Sequence, residues 1–203
     1  AAAINQKDKQ RFDYIINNEI PNSLNYISTS TTKIDKLLKA LLRLSRLGRA
    51  AITKTNLDMN KLIRNVTDSS RYLIKERNVD LKIDQLPECI GDIEQINQVF
   101  TNLVSNAIKY LDPARKGQIH ISGNIEGEMS VYCVKDNGIG INEDHFAKIF
   151  ELFHQLEPER PESGEGLGLT IIKRILDRNN GKIWLKSKPA EGSRFYVSLP
   201  RKK

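Results

Sequence analysis

The chain has 203 residues, 39% of them hydrophobic, and a formal net charge of +7; this is enough apolar material for a buried core, in one domain with an appendage or in two small units. No apolar run approaches the roughly 18 residues of a membrane span, and no signal-peptide core precedes the first helix, so the expectation is a soluble, cytoplasmic chain without a membrane span. Lys and Arg are dispersed without interleaved aromatics, apart from Arg201-Lys202-Lys203, which speaks against nucleic acid and leaves acidic partners or nucleotide phosphates.

Ala1 to Ala3 carry no fold information and are set aside. Residues 6–47 are polar and helix-compatible, and from Ile34 the apolar residues Leu37, Leu38, Leu41, Leu42 and Leu44 recur in steps of three and four. That stripe needs a partner helix. Pro21 lacks a backbone donor and is placed in the first turn of a helix ending before Gly48, with Asn17 and Asn18 in a helix–helix turn. One long helix kinked at Pro21 is the alternative.

Beyond Gly48 the pattern becomes α/β. A strand over 52–57 leads to a helix over 59–77, strands over 80–83 and 88–91, and a helix over 93–110. Strands over 118–124 and 129–135 are joined through Glu126-Gly127-Glu128 as a hairpin. A helix over 143–150 precedes the polar segment 155–165, read as a mobile loop, and a helix over 168–179 precedes strands over 182–187 and 193–199. This order predicts an α+β unit, a two-layer α/β sandwich with a mixed sheet and helices mainly on one face. The division expected is 1–50 for the helical segment and 51–203 for the α/β domain. Cys89 and Cys133 lie in strand-like stretches without CxxC spacing or a neighbouring histidine, and read as buried, reduced thiols.

Three stretches carry chemistry. On the helix over 93–110, Gln95, Asn102, Asn106 and Lys109 fall on one side at 100° per residue, opposite Ile96, Phe100, Leu103 and Ala107. Asparagine is a poor residue inside a helix, so Asn102 and Asn106 ask for a reason. Amide oxygens ligate Mg²⁺ and a lysine meets phosphate oxygens, although a solvated polar face has the same pattern. Next, Asp136-Asn137-Gly138-Ile139-Gly140 leaves an apolar strand. Asp136 is placed to accept a hydrogen bond from an exocyclic amine such as adenine's, and Gly138 and Gly140 permit close backbone approach; an ordinary turn is the plain alternative. Last, Ser163-Gly164-Glu165-Gly166-Leu167-Gly168-Leu169 enters a helix, where backbone N–H groups cradle phosphate, although such a cluster alone is also a hinge. It is neither a P-loop nor a dinucleotide fingerprint.

Together and in this order, these stretches resemble the catalytic ATP-binding domain of sensor histidine kinases, within the superfamily shared with gyrase-type and Hsp90-type ATPases and MutL. The N box is matched by residues 102–110, the first glycine box by 136–140, the phenylalanine box by Ile149-Phe150-Glu151-Leu152-Phe153, the second glycine box by 164–169, and the closing strand signature by Gly192-Ser193-Arg194-Phe195. The resemblance implies that Asn106, with Asn102 beside it, binds Mg²⁺, that Lys109 contacts the phosphates of ATP, and that Tyr110 flanks the nucleotide. It further implies that Asp136 recognises the adenine amino group and that Gly138 and Gly140 close on the base. Gly164, Gly166, Leu167 and Gly168 would belong to a lid over the phosphates, anchored by Phe150 and Phe153, for which core packing is the plain alternative.

Residues 41–49 resemble the second helix of the family's dimerisation hairpin, which implies a homodimer through the helical segment. The family's phosphoacceptor histidine has no counterpart: the histidines are His120, His145 and His154, in a strand, a short helix and the lid, where a structural role is expected. The implied function is transfer of the ATP γ-phosphoryl group to a histidine outside this chain and onward to a response-regulator receiver domain. No residue of the chain is singled out as chemically catalytic. A non-catalytic ATP-binding scaffold and an ATPase or serine kinase of the same superfamily are the competing readings; Gln98 stands where a carboxylate base for water would be needed.

Overall fold

The computed structural model describes residues 6–49, 51–152 and 166–202. They form two compact units, Ala1–Arg49 and Ala50–Lys203.

In the first unit, α1 (Gln6–Tyr14) runs through a π-helical turn, Ile15–Glu19, into α2 (Ile20–Arg49). The expected loop at Asn17 and Asn18 is absent, and the alternative of a helix disturbed at Pro21 lies nearer the structure. Pro21 sits in the first turn of α2, as expected, but the chain stays helical ahead of it. Its ring would crowd the carbonyl four residues back and it has no N–H to offer there. Widening the preceding turn, in which the Ile20 N–H bonds to the Ile15 carbonyl, removes the conflict without ending the helix. Leu24, Ile27, Ile34, Leu38 and Leu42 remain exposed.

The second unit begins with β1 (Thr55–Leu57), which pairs antiparallel with β3 (Cys89–Gly91). Asp58 starts α3 (Met59–Ser69) by accepting the Lys61 N–H, an N-cap that satisfies one orphan donor. The single helix expected over 59–77 breaks at Ser70, before α4 (Arg71–Glu76). Thr67 and Ser69 turn their hydroxyls back onto the carbonyls of Ile63, Arg64 and Asn65, and such side-chain bonds compete with helical continuation. The chain continues through β2 (Asp80–Ile83), α5 (Ile93–Lys109), β4 (Gln118–Glu126) and β5 (Met129–Asp136). The helix expected over 143–150 is instead two 3₁₀ turns, Glu143–His145 and Lys148–Phe150; so short a stretch does not repay helix nucleation. α6 (Gly168–Arg178), β6 (Lys182–Lys188) and β7 (Gly192–Pro200) follow.

The main sheet has the order β2-β4-β5-β7-β6, with β2 and β4 parallel and every other pair antiparallel. It is the mixed sheet packed by helices that the sequence predicts. α5 lies against β5 and α6 against β6, while α3 and α6 flank α5. Ile63, Ile96, Phe100, Leu103, Ile172 and Leu176 on the helices and Ile119, Ile121, Tyr132 and Val197 on the sheet are all buried and make up the core. The Phe100 ring stands edge-on to Tyr132 at 5.6 Å. Each such side chain contributes about 1.5–3 kcal/mol relative to exposure. Asn179, fully buried, accepts the Asp92 N–H at 2.9 Å and donates to Gln95 Oε1 at 3.0 Å. It ties the end of α6 to the start of α5.

Cys89 is buried and Cys133 half-buried, and neither forms a disulfide. Burial pushes the Cys89 thiol up to about 11.

Candidate nucleotide site

Asp92 caps α5 by accepting the Gln95 N–H at 3.1 Å, which fixes where the helix begins and therefore the face it offers. Asn102, Asn106 and Lys109 are half-buried along that face, while Ile96, Val99, Phe100, Leu103, Val104 and Ala107 are buried. Gln95 leaves the set assigned from the sequence. It shares Asn102's bearing around the helix, but two turns earlier α6 covers it and Asn179 bonds to its amide. Neither the Asn102 nor the Asn106 amide is engaged by another side chain or by backbone among the described residues. The Lys109 ammonium lies 4.6 Å from the centre of the Tyr110 ring.

Tyr110 ends α5, and its carbonyl accepts the Ile139 N–H at 3.0 Å. This joins the N-box helix to the glycine loop after β5. A methyl group on Gly138 would overlap the same Tyr110 carbonyl oxygen, so only glycine allows the approach. Gly140 has φ +73°, and a side chain there would strike the Lys188 carbonyl; both facts demand glycine. Ala190 donates to the Ile139 carbonyl at 2.7 Å, and Arg115 donates to the Gly138 carbonyl at 2.7 Å while lying 3.5 Å from the Asp112 carboxylate. The loop is held from three directions before any ligand arrives.

Asp136 ends β5 and is 6% exposed. Its Oδ1 accepts the Gly138 N–H at 2.8 Å and the Ser193 N–H at 3.2 Å. Among the described residues Oδ2 has no hydrogen-bond partner. Burial pushes the carboxyl up to about 6, against the opposing pull of those two N–H groups and of the Arg115 charge. Ser187 supports the far wall: its hydroxyl accepts from the Ile141 N–H at 2.8 Å and donates to the Gly192 carbonyl at 2.9 Å.

Gly166, Leu167 and Gly168 lead into α6, whose first turn has no side-chain cap. An α-helix leaves its leading N–H groups without intrahelical partners, and Leu167 has no side-chain acceptor to offer them. Leu167 is buried, and the Thr170 hydroxyl donates to the Phe150 carbonyl at 3.0 Å, which docks α6 on the phenylalanine-box turn. Gly164, Phe153, His154 and the loop expected over 155–165 lie outside the described residues. His120 contacts Asp84 at 2.7 Å, and His145 belongs to a 3₁₀ turn.

The structure therefore gathers Tyr110, Asp136, Gly138 and Gly140 around one loop, and places Asn102, Asn106 and Lys109 along the helix that enters it. Three contributors carried no sequence signal for their part here. Arg115 follows Pro113 and Ala114 in a turn, Ser187 sits on a strand, and Ser193, although within the closing glycine signature, acts through its backbone.

A family model described as histidine kinase-, DNA gyrase B- and HSP90-like ATPase matches residues 91–203, which contain Asn102, Asn106, Lys109, Tyr110, Asp136 and the glycines of the loop. The chain belongs to this family. Within it, cyanobacterial phytochrome B of Nostoc sp. is 42% identical over 173 residues, 83% of this chain and 23% of that protein. The catalytic domain of the histidine kinase ThkA, 29% identical, superposes with a TM-score of 0.64 over 73% of this chain and 98% of that domain. ThkA in complex with the response regulator TrrA superposes at 0.67 with 26% identity, covering 87% of this chain and 51% of that one. The chain spans about a quarter of the length of the curated relatives it matches, 20% to 26% for three of them. The fold is that of a histidine kinase catalytic domain.

Proposed function

We propose that this chain binds ATP with Mg²⁺ and transfers the γ-phosphoryl group to a histidine on another segment or chain, from which it passes to an aspartate of a response-regulator receiver domain. The observation that carries the reading is the Asp136 carboxylate: buried, fixed through Oδ1 by two backbone N–H groups, and left with Oδ2 open. Such an oxygen suits one amine donor, the role that adenine's amino group fills. Gly138 and Gly140 bring backbone to the base, and the start of α6, where Leu167 offers no side-chain cap, supplies N–H groups for phosphate oxygens.

Among the described residues no group of three or more His, Cys, Asp or Glu side chains could hold a metal ion. The amide oxygens of Asn106 and Asn102 fit Mg²⁺, which commonly takes one or two protein oxygens and completes its shell with water and substrate phosphates. When bound, the ion neutralises phosphate charge. The chain's own part is to position ATP for in-line attack: the acceptor nitrogen bonds to the γ-phosphorus, the bond to the β-phosphate oxygen breaks, ADP departs, and the histidine loses its N–H proton. The exposed apolar residues of α2 support a homodimer through that helix, and dependence on ATP supports a cytoplasmic location. The response-regulator partner is supported by the ThkA–TrrA assembly.

Calorimetry of ATP with and without Mg²⁺ tests the reading on this chain and on its Asn106→Asp and Asp136→Asn variants. Mg²⁺-dependent binding lost in both variants is expected. No binding by the unmodified chain overturns it.

A further inference from the structure

The register of the main sheet places Lys82 opposite His120, His120 opposite Lys135, Lys135 opposite Arg194, and Arg194 opposite Lys186. These five residues form one continuous row across every strand, on the face turned away from Asp136 and the interlayer core. With strands about 4.8 Å apart, the row is roughly 19 Å long. Like charges directly opposite one another destabilise a sheet, so such a row costs folding free energy. At the β2 edge the charge is compensated, since Asp84 contacts both His120 at 2.7 Å and Lys82 at 3.3 Å. Lys135, Arg194 and Lys186 are exposed and lack a carboxylate partner among the described residues. The neighbouring row is Ser122, Cys133, Tyr196 and Trp184, polar and aromatic without an acid.

We infer that this face is a docking surface for a partner protein presenting a row of carboxylates, with Lys135, Arg194 and Lys186 as its centre. An acidic helix laid across the strands fits. Its residues at i and i+4 stand about 5–6 Å apart, close to the spacing of the cations. The adjoining aromatics argue against single-stranded nucleic acid as the occupant. Tyr196 is stacked on Trp184 at 5.4 Å and 6° and carries the Lys186 ammonium 5.9 Å from its centre, so the ring is engaged within the protein instead of offered to a base. Lys135 precedes Asp136 and Arg194 follows Ser193, which puts the docking row directly behind the hydrogen bond that fixes the carboxylate. The inference rests on the strand register and on the exposure of these unpaired cations, and does not depend on the nucleotide reading.

The test is a low-salt titration of the isotopically labelled 203-residue chain with a helical peptide bearing glutamates at i and i+4, its glutamine counterpart, and a thymidine oligonucleotide. Amide shifts clustered on β5, β7 and β6 are expected with the glutamate peptide and not with the glutamine peptide. The triple variant Lys135→Gln/Arg194→Gln/Lys186→Gln should weaken binding roughly tenfold or more, as three charge pairs are lost together. A variant of equal charge change elsewhere, Lys61→Gln/Lys75→Gln/Lys173→Gln, should bind nearly as the unmodified chain does. A second readout needs no ligand: added salt should raise the melting temperature of the unmodified chain more than that of the first variant, because screening relieves the row's repulsion. Equal weakening by both variants, shifts away from these strands, equal salt dependence of melting, or preference for the oligonucleotide would each overturn the proposal.

Discussion

The Ser193 backbone N–H donates to Oδ1 of Asp136 at 3.2 Å across 57 residues of chain. One oxygen of a buried carboxylate is thus used by the protein itself, which separates holding the group from using it. The two functions respond differently to substitution.

Asp136→Asn should raise stability while weakening ATP binding at least tenfold. The folded-state value of about 6 lies above the ordinary 3.8. The neutral carboxyl's stabilising contribution is therefore complete below about pH 4 and lost as pH rises through about 6. At pH 7 the ionised carboxylate costs roughly 2–3 kcal/mol, and asparagine retains an acceptor for both N–H groups. Urea unfolding should show the variant's advantage growing from pH 4 to pH 7; an advantage independent of pH would contradict the assignment. Loss of the charged hydrogen bond to adenine, about 1.5–3 kcal/mol, sets the expected decrease in affinity.

Nucleoside binding should follow the same ionisation. Adenosine is the better probe because it lacks phosphates that titrate near neutrality. Its affinity should be level above about pH 7 and fall toward tenfold per unit below about pH 6. A flat calorimetric profile would mean that the charged carboxylate is not what the base meets.

Gly140→Ala should disrupt the loop. Its φ of +73° and the Lys188 carbonyl in its path together make a cost above about 1 kcal/mol, seen as a lower urea midpoint. Nucleotide affinity should fall with it, because the displaced segment carries the Ile139 bonds to Tyr110 and Ala190.

Asn179→Leu should destabilise the domain by roughly 2–4 kcal/mol. It leaves the Asp92 N–H and the Gln95 amide, both at the start of α5, without their partner, and each unsatisfied buried group costs about 1–3 kcal/mol. Thermal unfolding checks the size of the effect. A variant as stable as the original chain would show that water replaces the asparagine.

The sequence by itself determined the elements whose physics is local. The apolar period of α5 and the alternation along β4 and β5 specify helix and strands whatever their neighbours, and the ordered boxes around Asn106, Asp136 and Gly168 specify the family. Local reasoning went astray where short-range competition is close, at Ser70, at Asn17 and Asn18 ahead of Pro21, and over 143–150. There, one hydroxyl bond, one missing N–H or one costly helix nucleus decides the outcome. Only the tertiary structure could decide that Gln95 faces Asn179, that the Tyr110 carbonyl meets the glycine loop, that Ser193 holds Asp136, and that Lys135, Arg194 and Lys186 share a row. Each of these pairings depends on strand register and helix packing, which bring distant residues together and leave no mark in the spacing of either partner.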